Sequence, residues 1–210
     1  MAKLAFRITI NHDKYLREFF WRRFFNPYEI MIAEFMLQRT KAEQVEPVYK
    51  SFLEQYPDIK KLSKAHINSL KKYTQSLGLH KKASVFKEAA RFVVVNFDGK
   101  FPITKQELLK IPGVGDYVAG AIQAVCFNNA EYVIDSNIVR FINRYYGMEL
   151  TGEIRRKKEI IEKAKELFKV KDQRKFLFSL LDFTALICKP ITPACLKCPV
   201  NSECKFIKNN

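Results

Sequence analysis

The sequence predicts an all-α fold, and three observations carry that prediction. Only seven of the 210 residues are glycine. Long stretches rich in Lys, Glu, Leu and Ile repeat their apolar positions at helical spacing. The segment Leu108 to Arg144 reads as helix, tight glycine turn, helix: the apolar run Leu108–Ile111 stops at Pro112, Gly113-Val114-Gly115 follows, and Tyr117 to Phe127 carries Ala119, Gly120, Ala121 and Ala124 on one face. An apolar content of 48%, with eighteen Phe and nine Tyr, suffices for a ring-rich core in one large domain or two small ones.

The elements follow in order. Residues 1–26 are a short basic-aromatic opening around Trp21-Arg22-Arg23, broken at Asn26-Pro27. Pro27 suits the first turn of a helix over Tyr28–Thr40, in which Ile30, Ala33, Leu37, Met31 and Phe35 mark buried sides. Glu34 and Gln38 lie one turn apart and are expected on one face. Glu34 sits among Met31, Ile32, Phe35 and Met36, as a solvated face residue or as a placed acid. An amphipathic helix spans Lys41–Tyr56, stopped by Pro57, and Ile59–Ser69 gives a short helix pair. Gly78 breaks the chain between Leu77 and Leu79, presenting Leu79 beside Lys81 and Lys82; His80 reads as surface. Ser84–Phe97 is a helix, Asp98-Gly99 a turn, and Thr104 caps the first helix of the hairpin.

In that hairpin the two glycines open conformations closed to other residues, so the turn can present bare N–H groups at a helix N-terminus, a good place for phosphate. Asp135-Ser136-Asn137 opens a helix over Ile138–Tyr146, closed by Gly147. Gly152–Val170 is a charged helix with one apolar stripe, and Phe176–Ile187 is a last apolar helix. Asp135 reads equally as a helix cap or as a functional acid.

Thirty-seven Lys and Arg against 22 Asp and Glu give a net charge of +15, which points to a polyanion, nucleic acid first. No apolar run approaches membrane-spanning length, and the opening residues lack a signal-peptide pattern; a cytoplasmic, chromosome-associated monomer is expected. Five cysteines are present: Cys126, expected to be a small buried apolar residue, and Cys188-x6-Cys195-x2-Cys198-x5-Cys204. Clustered cysteines in such a chain suit a metal better than disulfides. Four thiolates without a nearby His fit tetrahedral zinc or an iron–sulfur cluster, though zinc knots usually come as two close pairs and only Cys195 and Cys198 form one.

Taken together, the Pro112–Gly115 hairpin, Asp135 and the 6-2-5 cysteine spacing resemble the helix-hairpin-helix iron–sulfur DNA glycosylases, the superfamily of endonuclease III and MutY, from about Phe24 to Phe206. The resemblance implies a two-lobed fold: a six-helix barrel lobe over residues 24–127 carrying the hairpin, and an iron–sulfur cluster lobe from 1–23 plus 128–210, with the substrate cleft between. It implies a [4Fe–4S] cluster on the four cysteines, and Asp135 acting on the sugar of an extruded nucleotide with Asn137 hydrogen-bonded around it. Segment 27–40 is similar to the MutY helix whose Glu protonates the departing base, giving that role to Glu34, and whose Gln enters the gap, giving that role to Gln38. Leu79 takes the place of a wedge in the base stack, and Gly113, Gly115 and Lys81 the place of backbone contacts. Bifunctional members carry a Lys where this chain has Tyr117, and a phenol cannot form a Schiff base; a monofunctional enzyme is expected. Tyr117, Arg39, Leu79 and the six residues after Cys204, in place of MutY's extra domain, make archaeal-type G·T mismatch thymine glycosylases the closer resemblance. Thymine or uracil opposite guanine in double-stranded DNA is the expected substrate, with adenine release or a non-catalytic DNA-binding homologue as alternatives.

Overall fold

Asn26 starts the first long helix of the middle of the chain by a local bond: its side chain accepts from the Tyr28 N–H at 2.9 Å, and Pro27 occupies the position where a missing N–H costs nothing. The computed structural model of the chain describes residues 2–80 and 82–208; every regular element among them is helical. Two compact units emerge, one of residues 18–127 and one of residues 1–17 with 128–210.

The 18–127 unit holds α2 (Pro27–Leu37), α3 (Ala42–Gln55), α4 (Ile59–Ser63), α5 (Ile67–Ser76), α6 (Ala83–Phe97), α7 (Lys105–Leu108) and α8 (Asp116–Cys126); a further helix, α1 (Ala2–Ile10), precedes them in the other unit. α2 is apolar nearly all round, and such a helix belongs in a core. It packs on α3 and α8, while α6 packs on α4 and α5. Met31, Ile32, Phe35 and Met36 are shut away, and Phe86 meets Phe35 and Phe52 edge-on at 5.3 and 5.6 Å between ring centroids. The small face of α8 lets helices approach closely: Ala119, Gly120, Ala121 and Ala124 are all buried.

In the other unit, α9 (Ser136–Tyr146) packs against α10 (Lys158–Leu167), α11 (Gln173–Leu186) and α12 (Lys205–Lys208), and α1 lies on α11. Where the sequence shows only a basic-aromatic opening, α1 buries Leu4, Ala5 and Ile8. The sealed carboxylate of Asp182 accepts from Arg17 Nε at 2.7 Å and from the Arg17 backbone N–H at 3.0 Å, which offsets its loss of water.

Several expected boundaries move. The Tyr28–Thr40 helix ends at Leu37: Gln38 is extended and Arg39 takes a left-handed φ of 62°. Gln38 is the C-cap of α2, one position past its last helical residue, and Glu34 lies within the helix. The second helix of the 59–69 pair runs on to Ser76 because Leu70, Thr74 and then Leu77 find burial. The charged helix is two pieces, a 3₁₀ turn over Ile154–Arg156 and α10, separated by extended Lys157 and preceded by left-handed Gly152. α11 begins earlier than expected because Asp172 caps it, accepting from the Lys175 N–H at 2.9 Å. Cys126, at the last turn of α8, is half-buried rather than buried.

Candidate active site and cysteine loop

Asp135 is positioned by the start of a helix. It is the N-cap of α9, and its Oδ1 accepts from the Ile138 N–H at 2.7 Å. That bond satisfies one of the amide donors that a helix start leaves over. Oδ2 accepts from Asn137 Nδ2 at 3.1 Å. Asn137 is fixed in turn, since its Oδ1 accepts from Arg140 Nη1 at 2.9 Å. Arg140 also donates to the Cys188 carbonyl from Nε at 3.0 Å and Nη2 at 2.7 Å, and to the Thr184 carbonyl at 2.8 Å. One hydrogen-bonded chain thus runs from a half-buried carboxylate to the backbone of the first loop cysteine.

Arg144, one turn further along α9, holds the same loop. It donates to the carbonyls of Lys189 and Pro190, both at 2.6 Å, its Nη1 lies 3.9 Å from Cys188 Sγ, and its guanidinium covers the Phe206 ring at 4.8 Å. Cys188, Cys195, Cys198 and Cys204 border one cavity together with Phe141, Phe183, Ile187 and Pro193. Among the described residues, no imidazole or carboxylate lines that cavity. Burial pushes the Cys188 thiol up and the Cys198 thiol to about 11. Thiols in such surroundings stay neutral unless positive charge is placed among them. Among the described residues, no group of three or more His, Cys, Asp or Glu side chains forms a metal site as it stands.

Arg140 and Arg144 are the residues that sequence reading passed over. Their signal was present: two arginines spaced one turn apart on the helix that Asp135 opens.

In the 18–127 unit, Glu34 is half-buried on α2 with buried Met31, Ile32, Phe35 and Met36 around it in sequence. Gln38 is half-buried and Arg39 exposed, beyond the helix end, where Thr40 Oγ1 donates to the Leu77 carbonyl at 3.2 Å. Leu79 follows left-handed Gly78 and its N–H reaches the Thr74 carbonyl at 2.7 Å. Its side chain is half-buried, not exposed as expected. Lys81 lies outside the described residues.

The two hairpin glycines differ. Gly113 has φ +81°, and a Cβ there would collide with Val85 Cγ1 and stand 3.1 Å from Phe35 Cζ, so nothing larger fits. Gly115 has an ordinary φ of −97° and open space where its Cβ would be. The expectation that both need glycine's conformational freedom is corrected for Gly115: what its lack of a side chain provides is room. Gly115 starts α8 with no side-chain cap bond, and half-buried Tyr117 stands in the first turn.

Comparison with known proteins now gives this geometry a setting. A family model described as HhH-GPD superfamily base excision DNA repair protein matches residues 32–169. The thymine/uracil-DNA glycosylase of Methanothermobacter thermautotrophicus is 34% identical over 90% of this chain and 86% of its own length. An adenine DNA glycosylase of Buchnera aphidicola is 33% identical over 90% of this chain, which spans 54% of that protein. Among solved structures, a thermostable thymine-DNA glycosylase superposes with a TM-score of 0.93 at 31% identity, covering 100% of this chain and 97% of that one. Endonuclease III trapped on DNA shares the fold, with a TM-score of 0.71 at 21% identity over 88% and 85% of the two chains.

Proposed function

We propose for this chain, which belongs to the HhH-GPD superfamily of base excision DNA repair proteins, the activity of a monofunctional DNA glycosylase that releases thymine or uracil paired with guanine. The observation that carries this reading is the fixed carboxylate of Asp135, hydrogen-bonded through both oxygens at the positive end of α9. The thymine/uracil relative and the thymine-DNA glycosylase structure support the choice of base.

Breaking an N-glycosidic bond builds positive charge on the deoxyribose. A preorganised anion stabilises that charge without reorganising, which is the largest lever available to such a site. Asp135 has this role, and its two hydrogen bonds fix the oxygens in place. The base departs most easily when protonated, and Glu34 is the acid for that step. Mispaired bases leave the stack at least cost, which supplies part of the selectivity. Gln38, Arg39 and Leu79 serve the gap left behind, and the amides around Gly113 and Gly115 take the strand's phosphate. Tyr117 offers no amine to the sugar, so the reaction stops at an intact abasic site.

The donor set fits an iron–sulfur cluster: four thiols around one apolar cavity, no imidazole, and arginines at the loop's carbonyls. Cys188, Cys195, Cys198 and Cys204 would hold a [4Fe–4S] cluster, whose chemistry when bound is to pin the basic loop of Lys189, Lys197 and Lys205. A brown protein with stoichiometric iron and sulfide is expected; a colourless zinc protein would remove that assignment.

The reaction test is a panel of duplexes carrying G·T, G·U, A·8-oxoguanine, A·G and thymine glycol, scored for base release with and without alkali. Release from G·T and G·U, with strand cutting only after alkali, is expected. Release from A·8-oxoguanine alone would favour the adenine enzymes, which are also similar to this chain. Binding without any release would favour a DNA-binding homologue. Cutting without alkali would overturn the monofunctional reading.

A further inference from the structure

Phe25-Asn26-Pro27 leads into α2, Tyr56-Pro57-Asp58 leads into α4, and Asp98-Gly99-Lys100-Phe101 follows α6. These three turns meet, with Phe127 at the end of α8, around a cleft of about 630 Å³ that lies within the 18–127 unit. Its floor is fixed, since the buried Tyr28 donates its hydroxyl to the Tyr56 carbonyl at 2.5 Å. Its rim carries rings: Phe25 is 45% exposed, and Phe101 and Phe127 are half-buried. Left-handed Asp98 and Gly99 turn the chain after α6 and bring exposed Lys100 to the same rim.

The polar groups of the lining are only partly used by the fold. Asn26 spends Oδ1 on the Tyr28 N–H at 2.9 Å, which leaves its amide nitrogen as a donor. Asp58 spends Oδ1 on the Lys61 N–H at 2.7 Å, which leaves Oδ2 as an acceptor. Asp98, next to the lining residue Gly99, lies 3.9 Å from Lys60 Nζ. Rings, an amide donor, a carboxylate acceptor and an ammonium match the three parts of a nucleotide: its π face, its base edge and its phosphate. A cleft of this size takes a drug-sized molecule, and a nucleotide is one. A chain of net charge +15 attracts polyanions. Bases stacked in a duplex have no face to offer the rings, so the matching strand is a single one.

The cleft is remote from the residues assigned to the duplex in the proposed reaction. α2 packs on α8, and a Cβ on Gly113, at the head of α8, would stand 3.1 Å from Phe35 Cζ in the last turn of α2. The two helices are therefore antiparallel, and Gly113, Gly115 and Gln38 share one end of the pair. The cleft touches Asn26, Pro27 and Tyr28 at the start of α2 and Phe127 past the end of α8. That is the other end, about 16 Å away along an eleven-residue helix.

We propose that this cleft is a second nucleic-acid site, which holds unpaired nucleotides of single-stranded DNA while the hairpin end holds duplex. Bases stack on Phe25, Phe101 and Phe127, and Lys100 takes a phosphate. Two such sites let the protein pass from one DNA segment to another without releasing both. This inference rests on the proposed function for the place of the duplex.

The test uses full-length protein and a labelled oligothymidylate of about 12 nucleotides, with binding read by anisotropy in the presence and absence of a saturating, unlabelled abasic-site duplex. Binding that survives the duplex is expected. Phe25→Ala and Phe101→Ala should each weaken it about tenfold, as loss of a stacking ring does. Lys100→Ala should reduce the salt slope by about 0.7, as loss of one phosphate contact to a single strand does. An oligomer of equal length without bases should bind about tenfold more weakly than oligothymidylate. Affinity for the abasic-site duplex and single-turnover base release from G·T should stay unchanged in all three variants, so that failure of the cleft and failure of the glycosylase reading give different results. Absent binding of oligothymidylate, or its full displacement by duplex, would overturn the proposal, as would equal binding by the parent and both phenylalanine variants. Phe25-dependent binding of poly-L-glutamate with none of oligothymidylate would give the cleft to an acidic protein segment and overturn it as well.

Discussion

The helices that begin at Gly115 and at Asp135 start in opposite ways. At Asp135 the protein fills its own helix end: a side-chain oxygen accepts the Ile138 N–H, and Asn137 and Arg140 extend the bonding inward. At Gly115 no side chain caps the helix, and the space beside the Cα is open. The same dipole and the same surplus amides are present at both ends. One end has its acceptor built in, so that the acceptor is immobile; the other leaves room for an acceptor arriving from outside. A fixed carboxylate suits catalysis, and a bare amide turn suits a phosphate that must come and go.

The largest test of this contrast is Asp135→Asn. Asparagine caps helices about as well as aspartate, so the thermal midpoint should hardly move. Base release measured in single turnovers should fall on the order of a thousandfold, since the anion facing the sugar is gone. A variant that melts early yet still releases base would reduce Asp135 to a cap and erase the contrast.

At the glycine end, Gly113→Ala and Gly115→Ala should separate shape from room. Gly113→Ala forces a side chain into a left-handed conformation and against Val85, and should cost about 1–3 kcal/mol in denaturant unfolding. Gly115→Ala meets neither obstacle. Its stability should stay within about 0.5 kcal/mol of the parent. Its DNA binding should weaken, because the methyl occupies the approach to the amides. Unchanged binding by Gly115→Ala would mean that the open helix end is not a contact.

How much of this was legible in the sequence divides along the same line. The capped starts at Thr104 and Asp135 were readable because each rests on a side chain bonding its own neighbours in the chain, and the start of α2 was marked by Pro27. The hairpin and the cysteine spacing were readable for the same reason. What was not readable depends on tertiary partners. α1 is short, and only packing on α11 makes it worth forming. The early end of α2 reflects Arg39 in a left-handed conformation, a choice no arginine announces. Arg140 and Arg144 take their role from the Cys188–Pro190 carbonyls opposite them, partners more than forty residues away along the chain.

The smallest expected effect lies on the hairpin's first helix, and it closes the comparison from the other side. α7 is only four residues long, too short to stand on propensity. Its start is built as Asp135's is: Thr104 Oγ1 accepts from the Glu107 N–H at 3.3 Å and donates to Glu107 Oε2 at 2.6 Å. Thr104→Ala should therefore cost about 1 kcal/mol in unfolding free energy. The double variant with Glu107→Ala should cost less than the sum of the single ones, because the two residues share a bond. DNA affinity should stay unchanged in both, since a filled helix start supports the turn without touching the ligand. A parallel loss of stability and affinity would instead make the cap part of the binding turn, and the division between filled and open helix ends would no longer describe the hairpin.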